Sequence, residues 1–339
     1  MSVNSLRSLL PRSIRIPSSR FPSRRFHSVY LRQYNHTITT LYQHQKATYS
    51  TSRTTTPPPP TSTKEHQDSE MAEPTGLIAK SGIELLTFGT PNGHKASILL
   101  EELKEAYGKE YTWQSINIMK NTQKEPWFIA VNPNGRIPAI VDHDRNDFAV
   151  FEGLPILTYL TRHYDPENKF SFPVESDDYS VAEQWMAWQH GGVGPMQGQA
   201  NHFFRFAKEK IPYAVQRYVG ESERLYGILD KRLEGRDYIV GPGRGKYSIA
   251  DINIFGWANI SILSGVELDR FPNVKSWLDR INARPAVKKG LAVPAESSFT
   301  NAAFLKGLEA DPEKKKQQEE VTKFLNEAKE KYGYKYTSP

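Results

Sequence analysis

Two short segments hold the residues whose types and spacing point to chemistry. In the first, Val131-Asn132-Pro133-Asn134-Gly135-Arg136-Ile137-Pro138 runs from a turn signal into the apolar residues Ala139, Ile140 and Val141. A proline at a strand's entrance removes a ladder donor, so it belongs at an edge, a first position or a special turn. If the Ile137–Pro138 bond is cis, it exposes the backbone groups of Ile137 to a ligand. Phe151-Glu152 then sets an acid at the mouth of the next helix. In the second segment, the turn cluster Gly89-Thr90-Pro91-Asn92-Gly93 precedes an apolar helical stripe. The first amides of a helix are unpaired and lie at its positive end, so this mouth favours an anion. Thr90 and Asn92 can add side-chain donors there, or serve only as turn and cap residues. The chain has no cysteine. A protein thiol nucleophile, a disulfide and a thiolate metal site are therefore excluded.

The elements that must position these residues follow from periodicity. Residues 83–88 (IELLTF) read as a buried strand. Residues 95–107 carry Ala96, Leu99, Leu100 and Leu103, the stripe of a helix packed on one face. Residues 111–118 form a second strand, and 139–141 and 148–151 a strand pair joined by the polar turn 142–147. Residues 153–164 form a helix. This β-α-β, then β-β-α order is that of a thioredoxin-like domain. Residues 165–178 read as a linker to an all-helical domain. Its helices are expected over 179–208, interrupted by Gly-Gly-Val-Gly-Pro at 191–195, and over 213–233, 248–263 and 274–281. Ser248 and Asp251 are spaced for a reciprocal helix cap, a structural feature. Residues 313–332 form a charged helix.

The length suits two domains and a sizeable core. The front of the chain differs in kind. Residues 1–64 hold eight Arg, two Lys and no acid; the first acid is Glu65. Without those ten cations, 34 basic residues face 38 acidic ones, so the net charge of +6 belongs to the leader. That weakens a nucleic-acid reading of the basic balance. An Arg-rich, Ser-rich, acid-free N-terminus matches a mitochondrial presequence, with a cytoplasmic protein as the alternative. The four prolines at 57–60 mark an extended linker. The expected division is a disordered leader and linker over 1–79, a thioredoxin-like domain over 80–166, a helical domain over 178–295 and a charged tail over 296–339. No apolar run is long enough to span a membrane.

In order and at family spacing, residues 83–290 resemble the glutathione transferases, nearest to the bacterial nu class and the fungal nitrogen-regulator-like group. The segments that carry the resemblance are TPNGHK (90–95), KEPWF (124–128), NPNGRIPAIVD (132–142), FE (151–152), WQHGGVGPMQGQ (188–199), IPYAVQRY (211–218), YSIADI (247–252) and RPAV (284–287). The resemblance implies an α/β plus all-α fold: a thioredoxin-like N-terminal domain followed by an all-helical transferase C-terminal domain. It implies that Thr90 and Asn92 sit by the sulfur of glutathione and favour its thiolate, the nucleophilic form. Ile137, before Pro138, would pair its backbone with the cysteinyl residue, as one strand adds to another. Glu152 and Gly153 would meet the γ-glutamyl end, Gln123 the glycyl end, and Arg136 a ligand carboxylate. No cofactor is implied beyond glutathione as co-substrate; the second substrate is a small electrophile, disulfide or peroxide, and the assembly a homodimer.

The chain departs from the family pattern at one place that matters. The usual Glu-Ser-Gly-Ala-Ile is here Glu152-Gly153-Leu154-Pro155-Ile156. Gly153 lacks the hydroxyl that normally binds the γ-glutamyl carboxylate. Losing one hydrogen bond to a charged group costs about 1.5–3 kcal/mol, so either affinity falls or the carboxylate finds another partner. Three functions remain open: conjugation of glutathione to an electrophile, glutathione-dependent disulfide or peroxide reduction, and a non-catalytic regulatory role on the same fold.

Other candidates are weaker. His94, His190 and His202 lack metal-ligand spacing and read as surface or core residues. The glycine-rich 241–245 loop lacks the lysine and flanking elements of a phosphate cradle. Trp185, Trp188, Phe203, Phe204 and Phe206 read as core, with an apolar second-substrate pocket as the alternative. Lys314, Lys315 and Lys316 form a solvated face.

Overall fold

The computed structural model describes residues 73–297 and 300–333. The presequence and the proline linker expected before residue 73 lie outside the described residues. The chain is tied to the fold slightly before residue 80. The N–H groups of Ile78 and Ala79 donate to the carboxylate of Glu84 at 3.0 and 2.9 Å, and Gln114 Nε2 donates to it at 2.5 Å. Glu84 is fully buried in a strand, so these donors are what makes its burial tolerable.

The N-terminal half is built from β1 (Ile83–Thr87), α1 (Pro91–Tyr107), β2 (Tyr111–Ser115), the short helix α2 (Pro126–Val131), β3 (Ala139–Asp142), β4 (Phe148–Phe151) and α3 (Gly153–Tyr164). The strand order is β2-β1-β3-β4. β1 and β2 are parallel, with α1 as their crossover. β3 pairs antiparallel with both β1 and β4. Every residue of β1 is buried, as the central strand of a covered sheet requires.

The second half begins with α4 (Asp177–Trp188), capped by Ser176. The interruption expected at 191–195 takes the form of a change of helix type rather than a loop. Residues Gln189–Val193 form a wide π turn, closed by the Gly194 N–H donating to the Gln189 carbonyl, and α5 (Gly194–Asn201) continues from it. Pro195 offers no N–H to an α-helical ladder, and the widened turn absorbs that gap. After a second π turn at His202–Phe206 come α6 (Pro212–Arg232), α7 (Ile249–Ala258), α8 (Pro272–Asn282), α9 (Pro285–Leu291), α10 (Asn301–Ala310) and α11 (Pro312–Tyr332). Among the described residues, no helix is long and apolar enough to cross a membrane. The fold is thus a thioredoxin-like domain followed by an all-helical one.

Asp251 organises the helical core. Ser248 N–H donates to its carboxylate at 3.0 Å, Ile239 N–H at 3.1 Å and Trp277 Nε1 at 2.8 Å. Burial still pushes this acid up to about 6, the donors only partly offsetting the desolvation. The tail also differs from a merely charged face. Val321, Phe324, Leu325 and Ala328 fall at helical spacing, and Leu325 packs with Ala200, Phe204, Val215 and Val219. α10 was not expected at all; Asn301 ties its start to the loop after α7, donating to the Ala258 carbonyl and Ser261 Oγ and accepting from the Ile262 N–H.

α1 differs most from expectation. A one-faced stripe predicts one buried face, yet every residue from Gly93 to Leu100 is buried. The sheet covers one side, and α7 and α9 cover the other. Ser97 Oγ donates to the Gly290 carbonyl at 2.7 Å, and Arg284 grips Glu102 through two nitrogens at 2.6 and 2.7 Å. At the other end Gly256 approaches so closely that a Cβ there would lie 2.3 Å from the Pro91 carbonyl oxygen. Gly256→Ala therefore forces backbone apart at the start of α1. Urea unfolding should show a loss of about 1–3 kcal/mol, the usual cost of overpacking.

Candidate functional site

The start of α1, the segment before β3, the mouth of α3 and the π turn of the helical domain enclose a cleft of about 650 Å³. Thr90, Asn92, Gln123, Arg136, Ile137, Pro138, Glu152 and Gly153 all line it. The expected residues are thus brought to one place.

Thr90 caps α1: the Gly93 N–H donates to its Oγ1 at 3.1 Å. That bond uses the oxygen as acceptor and leaves the hydroxyl proton available to donate. Asn92 is oriented from the other domain. Trp257 Nε1 donates to Asn92 Oδ1 at 3.0 Å. An indole N–H can only donate, so the atom facing it must be the amide oxygen, and the amide NH₂ is the group left for the cleft. Two donors and the positive end of a 17-residue helix therefore line the same cleft, a setting that favours an anion.

The Ile137–Pro138 bond is cis. Arg136 is exposed at the cleft's rim. Gln123 is buried, with its Nε2 no nearer than 3.5 Å to the Ile118 carbonyl and its Oε1 without a partner among the described residues. Glu152 sits at φ 71°, a region costly for a residue with a Cβ, of order 1–3 kcal/mol. Such a conformation aims its carboxylate at the cleft. There Asn134 Nδ2 approaches Oε1 at 3.4 Å, and His190 Nε2 lies 3.1 Å from Oε2.

Three residues that line the cleft were not singled out beforehand: Lys95, Gln189 and Trp257. Lys95 is 1 % exposed, and its Nζ donates to Gln189 Oε1 at 2.8 Å. Burial lowers its ammonium to about 7, with the charge of Glu152 pulling partly back. A signal was present: Lys95 stands four residues before Leu99, in phase with the buried stripe. His190, expected at the surface or in the core, belongs to the cleft instead. His94 is a core residue, 2 % exposed, held neutral by burial that lowers it to about 4. The tryptophan and phenylalanine cluster does not wall the cleft. Phe204 is in the core and Phe206 is 67 % exposed, while Ile118, Pro195 and Trp257 supply the apolar lining.

Comparison with known proteins places this geometry. Residues 90–163 match the model for the N-terminal domain of glutathione S-transferases, and residues 198–285 the model for the C-terminal domain. The disulfide-bond oxidoreductase YfcG of Escherichia coli is 38% identical over 213 residues, covering 62% of this chain and 94% of that protein. Glutathione S-transferase 1 of Schizosaccharomyces pombe is 37% identical over 212 residues, covering 58% of this chain and 90% of that protein. A glutathione transferase homologue from Lodderomyces elongisporus, solved with two glutathione molecules per subunit, superposes with a TM-score of 0.59 at 38% identity. It covers 63% of this chain and 99% of that one.

The buried ammonium has a pH signature. Its folded value lies below the unfolded one, so folding releases a proton between about 7 and 10.5, and wild-type stability rises with pH across that window. Below 7 the full cost of burying the charge is present. Lys95→Met should therefore be more stable than wild type by roughly 1–4 kcal/mol at pH 6. Denaturant titrations should show that advantage shrinking steadily between pH 7 and 10.

Proposed function

We propose that this chain, which belongs to the glutathione S-transferase family, binds glutathione in the interdomain cleft and presents its sulfur as a thiolate to a small electrophile. The observation that carries the reading is that the Thr90 hydroxyl, the Asn92 amide and the α1 terminus line one cleft of a cysteine-free chain. A free thiol titrates near 8.5, so donors aimed at the anion are what make it available near neutrality. With no protein thiol to compete, the reacting sulfur belongs to the ligand.

In this reading Ile137 offers its backbone to the cysteinyl residue. Glu152 faces the γ-glutamyl ammonium, Gln123 the glycyl end and Arg136 a carboxylate at the rim. Pro195, Ile118 and Trp257 present an apolar surface to the electrophile, and water excluded there strengthens the donors at the sulfur. The assembly in this reading is a homodimer, and glutathione is consumed as co-substrate with no further cofactor.

A second reading is glutathione-dependent disulfide reduction, which the 38% identity to a protein named for that activity favours. It uses the same thiolate and needs no protein cysteine, since both thiols come from glutathione. Calorimetry with the full chain and a turnover panel with glutathione as the only thiol separates the two. An aryl halide should be conjugated, and Asn92→Ala should slow that turnover by about 10- to 100-fold, the loss of one donor to a charged atom. Turnover of a disulfide alone would select the second reading. Undetectable glutathione binding would refute both.

We further infer a mitochondrial address from the acid-free, Arg-rich residues 1–64. N-terminal sequencing of the protein from isolated mitochondria should find the leader removed; recovery only from the cytosol, starting at Met1, would refute it.

A further inference from the structure

We propose that Lys95 receives the α-carboxylate of the ligand's γ-glutamyl end, through the space that Gly153 leaves open. The inference rests on the reading that glutathione occupies the cleft, and adds a residue that determines how one end of it is recognised.

The geometry is that of an incomplete cation site. An ammonium has three donors, and a buried one is costly until they are used. Among the described residues the Lys95 ammonium makes one hydrogen bond, to Gln189 Oε1 at 2.8 Å. The nearby carboxylate of Glu152 does not complete the set, because its oxygens lie against Asn134 and His190. Lys95 nevertheless lines the cleft beside Glu152 and Gly153. An acceptor that enters with a ligand would fill the unused donors.

The position of Gly153 says where that acceptor enters. A Cβ built on Gly153 would lie 3.2 Å from Lys95 Cδ, 3.8 Å from its Nζ and 3.9 Å from His190 Cε1. Any side chain there would occupy the gap between the first turn of α3 and the ammonium. Glycine removes that contact, and Gly153 stands at the first position of α3, where the backbone N–H has no partner within the helix. Pro155 brings no N–H to this turn, so the lysine adds charge where the backbone has few donors.

Charge sign supports the assignment. The end of glutathione that differs from an ordinary peptide is a zwitterion, an ammonium and a carboxylate on one carbon. The cleft places an anion, Glu152, next to a cation, Lys95, and their coupling shows in the ammonium's titration. A neutral or purely anionic end would match at most one of the two charges. Gln189 acts as a positioning residue: it reaches from the helical domain, and its carbonyl oxygen holds the ammonium toward the mouth of α3.

The test uses the full chain and two ligands, glutathione and 4-aminobutyryl-cysteinyl-glycine, which lacks only that carboxylate. Calorimetry should show wild type preferring glutathione by about 10- to 100-fold, as a charged hydrogen bond implies. Lys95→Met should abolish the preference by weakening glutathione and leaving the analogue unchanged. Gln189→Leu, which keeps the lysine but frees it, should reduce the preference by a smaller factor. A Lys95→Met protein that still prefers glutathione overturns the assignment, as does a wild type that binds both ligands equally. Wild type that binds neither overturns the glutathione reading itself.

Discussion

Helix α1 is packed from both sides, and the rest of the molecule is arranged around that constraint. One side lies on the sheet, as in any β-α-β unit. The other is covered by α7 and α9, so closely that Gly256 meets the Pro91 carbonyl with no room for a side chain. At the opposite end the Arg284–Glu102 fork, with Glu102 2 % exposed, holds the same helix. A carboxylate so little hydrated becomes a costly orphan if the guanidinium moves away. The helix mouth that bears Thr90, Asn92 and Lys95 is therefore fixed against the second domain.

That docking turns separate side chains into a site. Each critical orientation is set across the domain boundary: Trp257 turns the Asn92 amide, Gln189 holds the Lys95 ammonium, and His190 lies against Glu152. In each pair one residue belongs to the sheet domain and one to the helices. The π turn at Gln189–Val193 is part of the same device, because it carries Gln189 and His190 at the cleft. Glu152 contributes strain of its own, a positive φ kept by the packing around it.

Much of this was legible before any coordinates. The turn-proline-strand signal at 131–141, the acid at 152 and the turn cluster at 89–93 are local features, and local features survive folding. The spacing of Ser248 and Asp251 likewise read as a cap, and Asp251 does bond the Ser248 N–H. What failed to show has a common cause. Lys95 is in phase with the apolar stripe, but its charge masks the burial that a second layer imposes on it. Gln189 and His190 sit before a glycine-proline run that reads as a break, and only the tertiary packing makes a π turn preferable there. The apolar stripe of α11 is hidden among lysines and glutamates that dominate its composition.

The sequence by itself determined the kinds of group available: helix-mouth donors, an acid, a strand entrance and no thiol. Composition and short-range spacing suffice for these, since turns, caps and periodic faces depend on neighbours within a few residues. Only the tertiary structure decided how those groups face one another. Whether a lysine is a solvated charge or a buried, under-bonded cation depends on residues almost a hundred positions away. Which atom of an amide points into a cleft depends on a residue 165 positions away, because burial and hydrogen-bond partners come from the other domain.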